Sequence, residues 1–278
     1  FLLSDSVKSS SEIAILNEVE RKKYYISEAA TVQTPFLLIA LSIFLLAIIF
    51  AFINLPKVMQ VSPKGGYMTL LKKKSLLMGA FGIFVYVGAE VAIGSFLVNY
   101  FFEMNLATII SENQLMMQIA NTIANTFNKT FTDADPKSLL GIFVIFYWGG
   151  AMIGRFVGSY LTKIMLPGKV LSIFSFFAIF MILISINTDG LLSMWLMLAV
   201  GLFNSIIFPT IFTLSLEGLG DLKAQASGLL CMAIVGGAII PFAFGGLIDH
   251  FGFKTAFVLT IVCYGYILFF GKGKWRRV

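Results

Sequence analysis

The sequence has 278 residues, of which 58% are hydrophobic and 12% are charged. Soluble domains average roughly 45–50% apolar and about 25% charged residues, so this composition excludes a water-soluble globular domain. Lysine and arginine number 20 against 14 acidic residues, which gives a net charge of +6. In so apolar a chain, a basic excess indicates anionic lipid head groups and membrane topology rather than nucleic acid. The two cysteines, Cys231 and Cys263, both lie in apolar segments and indicate no disulfide framework.

Apolar stretches long enough to cross a bilayer recur along the chain. The hydrocarbon layer is about 30 Å thick and needs roughly 20 helical residues at about 1.5 Å each. The sequence therefore predicts an all-α, polytopic membrane protein with seven transmembrane helices. The predicted spans lie near 35–55, 75–101, 139–161, 169–187, 191–215, 224–247 and 254–271.

The basic residues predict the orientation of these spans. When the loops alternate between the two sides of the membrane, thirteen lysines and arginines fall on one side and seven on the other. Positively charged loops tend to remain in the cytoplasm, so the side with thirteen is predicted to be cytoplasmic. This places residues 1–33 and the loop at 103–137 outside and the C-terminal tail inside.

A stretch at 56–74 contains five lysines together with proline and glycine, and it predicts a basic cytoplasmic linker between two helical bundles. One span precedes this linker and six follow it. The chain begins Phe1-Leu2-Leu3 without methionine, so we expect it to be the C-terminal part of a longer protein. The predicted organisation is an extracytoplasmic segment at 1–33, the last helix of an N-terminal bundle at 34–55, the linker at 56–74, a C-terminal six-helix bundle at 75–271 and a cytoplasmic tail at 272–278.

A polar segment at 103–137 separates the second and third spans. Leu115, Ile119, Ile123 and Phe127 recur at four-residue spacing, which predicts a short amphipathic helix at the outer surface. A lid over a pore is the alternative.

Motifs of catalysis are missing from the sequence. There is no Gly-rich phosphate loop, no His-Glu-x-x-His and no Gly-x-Ser-x-Gly. The only histidine, His250, falls at a predicted helix end, so metal ligation by imidazoles is not expected. We expect neither an enzyme nor a cofactor or a metal.

Glu90 is the one acidic residue well inside a predicted span, about 22 Å along the helix from Ser75. A carboxylate at that depth is unfavourable unless it faces water, a partner or a substrate. Tyr86 falls on the same side of the helix and joins Glu90 as a candidate substrate-binding residue. Two other roles for Glu90 stay open, which are those of a proton carrier and of a structural hydrogen-bonding acid.

Four further polar or aromatic residues lie at mid-membrane positions. They are Tyr147 and Trp148 in the third span and Asn204 and Phe208 in the fifth. Amide, phenol and carboxylate groups beside aromatic faces suit a polyhydroxylated solute, whose hydroxyls need partners and whose C–H faces stack on rings. Helix packing is the alternative role for each aromatic residue.

Glycines predict close helix packing in two of the spans. They are Gly150, Gly154 and Gly158, which form a GxxxGxxxG row, and Gly236 and Gly237. Pro209 and Pro241 predict kinks or local unwinding, a recurrent feature of helices that line a transport path.

Four blocks of the sequence resemble the fucose/glucose/galactose cation symporters of the major facilitator superfamily. The blocks are YVGAE at 86–90 continuing to SFL at 95–97, GRF at 154–156 with Gly158, NSIIFPTIF at 204–212, and GGAIIP at 236–241. The third block is the most specific, and within the family the chain is most similar to bacterial glucose/galactose transporters. The resemblance extends from the sixth to the twelfth helix of a twelve-helix transporter.

This resemblance implies cation-coupled transport of a hexose, either glucose or galactose or else fucose, by alternating access of two bundles. It implies a bacterial inner membrane, a cytoplasmic C-terminus, and as partners the sugar, a coupling cation (H⁺ or Na⁺), the lipid bilayer and an N-terminal bundle of the same protein. The coupling carboxylates are implied to lie in the first six helices, and Glu90 matches a substrate-cavity position of the seventh.

The loop after the third span resembles the cytoplasmic gating loop of the superfamily in Gly158, Lys163 and Lys169, whereas Thr162 stands where that motif usually has an acid. Two other functions fit the same pattern. One is an efflux or metabolite carrier of the same superfamily, and the other is a non-transporting scaffold subunit of a membrane complex.

The first testable prediction concerns topology and follows from the unequal distribution of basic residues. Single cysteines in 60–70 and in the last four residues should react with an impermeant thiol reagent only from the cytoplasmic side. A cysteine in 105–135 should react from outside. Labelling of the 60–70 position in intact cells would show that the orientation is inverted.

Overall fold

The structure, a computed structural model, describes residues 17–52, 66–126 and 136–274. Regular secondary structure in these ranges is entirely helical, which confirms the predicted all-α class. The α-helices are α1 (Glu18–Phe52), α2 (Gly66–Leu70), α3 (Lys74–Glu103), α4 (Leu106–Glu112), α5 (Gln114–Thr126), α6 (Pro136–Ile164), α7 (Pro167–Ile186), α8 (Gly190–Asn204), α9 (Ile207–Leu216), α10 (Lys223–Met232) and α11 (Gly236–Gly273). Short 3₁₀ turns at Gly220–Leu222 and Ala233–Val235 flank α10.

The chain divides into two compact units, Phe1–Gln60 and Val61–Val278. In the first unit α1 begins where the side chain of Asn17 accepts a hydrogen bond of 2.8 Å from the backbone N–H of Glu20, an N-cap that satisfies an otherwise unpaired donor. Residues 18–33 are thus helical and continue directly into the predicted span at 34–55, whose apolar part is Phe36–Ile49. Residues 1–16 and most of the predicted linker lie outside the described ranges.

The second unit contains five helical segments with the length and apolar composition of membrane spans. They are Lys74–Glu103, Pro136–Ile164, Pro167–Ile186, Gly190–Leu216 and Gly220–Gly273. The last segment has 54 residues, so as one straight helix it would extend about 81 Å, more than twice the thickness of a bilayer.

A reversal at Gly252 divides this long segment into two passes. Gly252 has φ 78° and ψ 172°, a conformation that glycine adopts without the steric cost of a side chain. Contacts with α3 show the reversal. From the start to the end of α11, they are Gly236 with Phe84, Phe244 with Phe96, Phe253 with Tyr100, and Tyr266 with Phe81. The chain therefore runs along α3 in one direction and returns in the other, as expected for two separate spans at 224–247 and 254–271.

Close contact between α6 and α8 depends on the glycine row of α6. A β carbon on Gly150 would lie 3.3 Å from the backbone nitrogen of Leu202, and one on Gly158 would lie 2.6 Å from Cδ1 of Ile206. Between these two, Gly154 faces the carbonyl oxygen of Leu202. The two helix backbones can approach this closely only because the three positions carry no side chain.

The segment between α3 and α6 contains two short helices, and α5 occupies the stretch predicted to be an amphipathic helix. Asn113 caps α5 by accepting a hydrogen bond of 3.1 Å from the N–H of Met116. Ile119 and Ile123 are half-buried, whereas Leu115 is 66% exposed, and Phe127 lies outside the described ranges. A groove of about 790 Å³ lies between α5, α6 and α8.

The second prediction concerns the glycine row. In Gly154→Ala the new β carbon would overlap the Leu202 carbonyl, a backbone group that cannot rotate away, so we expect a loss of about 1–3 kcal/mol in stability. Gly141→Ala on the same helix is the matched control, because a β carbon there meets nothing within 4 Å. The midpoint of thermal unfolding in detergent should fall for the first variant only. Equal midpoints would show that the contact between α6 and α8 is not close-packed.

Candidate substrate-binding site

The centre of the second unit is a break between α8 and α9. Pro209 is the third residue of α9, so it has no N–H to donate to the carbonyl of Ser205 and its ring conflicts with that carbonyl. The helix accordingly ends at Asn204 and restarts at Ile207. The break frees backbone carbonyls that, in an apolar environment, require other donors.

Three tyrosines supply partners for Asn204 at this break. The hydroxyl of Tyr86 donates to the backbone carbonyl of Asn204 at 2.7 Å, and the hydroxyl of Tyr264 donates to its side-chain Oδ1 at 2.6 Å. Nδ2 of Asn204 in turn donates to the hydroxyl of Tyr147 at 2.7 Å. One of these residues comes from each of α3, α6, α8 and the second half of α11, so Asn204, through its backbone carbonyl and its side chain, joins four helical segments. We refer to Asn204, Tyr86, Tyr147 and Tyr264 as the Asn204 network.

Burial decides what this network can do. Asn204, Tyr147 and Tyr264 are 0% exposed and Tyr86 is 2% exposed. A solute therefore cannot contact these side chains in this conformation, and their polar atoms are already paired with one another. Helix packing encloses Tyr86, Tyr147 and Asn204 in this conformation, and their direct contact with a solute stays a prediction.

Glu90 lies one helical turn after Tyr86 on α3 and is half-buried. Its carboxyl group is close enough to interact electrostatically with the hydroxyls of the network and with one guanidinium. These groups belong to Tyr86, Tyr147, Tyr264 and Arg155. Glu90 is thus an acid at the edge of a buried polar cluster, and part of its surface is open.

Trp148 and Phe208 occupy more open positions than the network. Trp148 is 54% exposed and packs edge-on against Tyr147, with a distance of 5.2 Å between the ring centroids. Its indole would lie 3.5 Å from a β carbon at Gly94, which is one turn beyond Glu90 on α3. Phe208 is half-buried and stacks on Phe212 at 6.0 Å. Of the predicted aromatics, Trp148 is therefore the one that the structure places open and beside Glu90.

Two residues beside the site were not identified from the sequence. Tyr264 lies in the last apolar run, where nothing distinguishes it from Tyr266 two residues later. Arg155 is one of the thirteen basic residues that the sequence assigns to the cytoplasmic side, but it lies nine residues before the end of α6, about 14 Å inside the helix. The depth of this arginine within a helix of 29 residues is the feature that could have identified it.

The residues of the predicted gating loop lie around the junction of α6 and α7. Gly158 belongs to the packed glycine row, whereas Lys163 is exposed in the last turn of α6 and Lys169 is exposed in the first turn of α7. The hydroxyl of Thr162 donates to the carbonyl of Ser159 at 3.0 Å within the same helix. Within the described ranges, no three His, Cys, Asp or Glu side chains come together as a metal site.

Comparison with known proteins places this arrangement in a class. No family model matches the chain. In its fold it is similar to the crystal structure of FucP, a major facilitator superfamily transporter in the outward conformation, with a TM-score of 0.69 at 22% identity over 98% of this chain and 61% of FucP. The fold is therefore that of a major facilitator superfamily transporter, and the protein is a multi-pass membrane protein.

Relatives by sequence are more similar to the chain than the solved structure is. The chain is 44% identical over 250 residues to the glucose/galactose transporter of Brucella abortus, covering 88% of this chain and 54% of that protein. It is 35% identical over 282 residues to a putative glucose/galactose transporter of Helicobacter pylori, covering 99% of this chain and 61% of that protein. Over most of its length the chain is thus similar in sequence to proteins named as glucose/galactose transporters, and it spans little more than half the length of these relatives.

The third prediction concerns the buried amide. Asn204→Leu leaves the hydroxyls of Tyr147 and Tyr264 without their side-chain partner, whereas Tyr86 keeps the backbone carbonyl. Each buried unpaired polar group costs about 1–3 kcal/mol. We expect a loss of several kcal/mol in stability, measured by thermal unfolding in detergent. Asn99→Leu, at an exposed position of α3, should change the midpoint little. A similar small change in both variants would show that the network contributes nothing to stability.

Proposed function

We propose that the protein containing this chain transports a hexose by cation-coupled symport, with alternating access between this bundle and an N-terminal bundle. The relatives support this proposal through their names, which include glucose/galactose transporters and the L-fucose-proton symporter of Escherichia coli. We further propose a bacterial inner-membrane location with a cytoplasmic C-terminus. The coupling cation is H⁺ or Na⁺, and the residues that couple it lie in the half of the transporter that this chain does not include.

The observation that carries the proposal is the pairing of a half-buried carboxylate with an open indole. Glu90 and Gly94 lie one turn apart on α3, and the ring of Trp148 from α6 covers the Gly94 position. A sugar needs both kinds of surface, because its hydroxyls donate to a carboxylate while its C–H face stacks on an aromatic ring. Glu90 accepts hydrogen bonds from the sugar and Trp148 stacks on it, with Phe208 as a further aromatic surface.

The buried residues hold Glu90 and Trp148 in place. The sequence predicts direct sugar binding by Tyr86, Tyr147 and Asn204. In the proposed site these three residues instead form the buried layer against which Glu90 and Trp148 are positioned. Tyr147 packs against Trp148 through its ring, and Tyr86 lies one turn before Glu90. A rigid wall of paired polar groups keeps the open residues preorganised for the sugar.

The fourth prediction tests Glu90 in a full-length transporter that contains this chain. Glu90→Ala removes an acceptor from a partly dehydrated site, so D-galactose binding should weaken by about 1–3 kcal/mol, which is roughly ten- to a hundredfold in affinity. Glu90→Gln retains acceptor capacity without charge, so it should bind moderately and still couple uptake to the cation. The measurements are equilibrium binding and accumulation in proteoliposomes, with D-glucose and L-fucose compared.

Other outcomes assign Glu90 a different role. If Glu90→Gln exchanges sugar but no longer accumulates it against a gradient, the carboxyl carries the coupling proton instead. Glu103→Ala is the matched control, because Glu103 is an exposed acid at the end of the same helix and should leave both assays unchanged. Normal binding and accumulation in Glu90→Ala would show that Glu90 is structural only.

A further inference from the structure

The Asn204 network contains one residue that is remote from Glu90 and Trp148 along the chain. Tyr264 belongs to the returning half of α11 and is fully buried, so it cannot contact a sugar. Its hydroxyl nevertheless makes the shortest hydrogen bond of the network, 2.6 Å to Oδ1 of Asn204. Tyr266, on the same helix, donates instead to the backbone carbonyl of Met78 at 2.8 Å and does not bond to Asn204.

We propose that Tyr264 is a positioning residue for the sugar site, acting through Asn204 and Tyr86 on Glu90. This inference rests on the proposed function, in which Glu90 accepts hydrogen bonds from the sugar. The path consists of two hydrogen bonds and one helical turn. Tyr264 bonds to the side chain of Asn204, the backbone carbonyl of Asn204 bonds to Tyr86, and Tyr86 lies one turn from Glu90 on α3.

Competition for donors is the physical reason that the path transmits an effect. A hydroxyl has one proton to donate, and the proton of Tyr86 goes to the backbone carbonyl of Asn204. Without the hydroxyl of Tyr264, Oδ1 of Asn204 becomes an unpaired acceptor in an apolar interior, where leaving it unpaired is unfavourable. Oδ1 of Asn204 then competes for the protons of neighbouring donors. One of these donors is Tyr86, which also interacts with Glu90.

The location of the break makes this rearrangement possible. Asn204 is the last residue of α8, so its carbonyl has no N–H partner in the following turn and depends on Tyr86. A carbonyl inside a continuous helix would retain its backbone partner whatever the side chains did. Tyr264 thus determines whether Asn204 holds Tyr86 by its backbone or by its side chain, and through Tyr86 it sets the position of the Glu90 carboxyl.

The test is a double-mutant cycle on D-galactose affinity in the full-length transporter. Tyr264→Phe removes only a hydroxyl and should weaken binding about three- to tenfold, the equivalent of one hydrogen bond. In the Glu90→Ala background the same substitution should cause no further loss, because the group that it positions is gone. Tyr266→Phe removes an equivalent hydroxyl from the same helix and should leave the affinity unchanged in both backgrounds.

The possible results separate this inference from the proposed function. Loss of affinity in Glu90→Ala with wild-type affinity in Tyr264→Phe overturns the positioning role alone. An equal loss from Tyr264→Phe in both backgrounds also overturns it, since the tyrosine would then act on the fold rather than on Glu90. Wild-type affinity in Glu90→Ala overturns the proposed site and this inference together. If Tyr264→Phe does not fold, Tyr264→Met, which also removes the donor to Oδ1 of Asn204 and keeps an apolar side chain, takes its place in the same cycle with the same expectations.

Discussion

The need to pair every polar group in an apolar interior is the constraint on which the centre of this structure depends. A proline in α9 interrupts the helix, and the interruption frees a carbonyl that no water can reach. Tyr86 pairs with that carbonyl, and Tyr147 and Tyr264 pair with the Asn204 side chain, all through hydrogen bonds of 2.6–2.7 Å. Because each partner comes from a different helical segment, pairing the polar groups of one residue also fixes how four segments meet.

The second constraint is the close approach of two helix backbones at positions that carry no side chain. It applies next to the break between α8 and α9. The glycine row of α6 brings that helix against the end of α8, immediately beside the break. Gly201 faces the backbone carbonyl of Tyr147, so that the two helices are in contact where the Asn204 amide reaches Tyr147. Small residues and one bond of the buried polar network thus occur at the same helix crossing.

The proposed transport function depends on the difference between buried and open residues at the centre of the second unit. The network is enclosed, whereas Glu90 and Trp148 remain partly or largely open on the same side. A carboxylate in a membrane helix is unfavourable unless it contacts water, a partner or a substrate. Here the paired polar groups of the Asn204 network lie beside it. In the proposed function these paired groups give the sugar a preorganised surface.

The sequence by itself determined the class of protein and most of its spans. Apolar length, basic asymmetry and the absence of catalytic motifs depend on local composition, so they can be read without a fold. It also identified Glu90, because an acid within an apolar run is conspicuous, and it identified Asn204 and the glycine row by residue type.

Only the tertiary structure decided which of these residues are enclosed. Tyr264 pairs with Asn204 from 60 residues away, while Tyr266 points elsewhere, and no pattern along the chain distinguishes the two. Burial and pairing depend on how helices pack across long sequence separations, and this is why the sequence could not show that Tyr86, Tyr147 and Asn204 are enclosed.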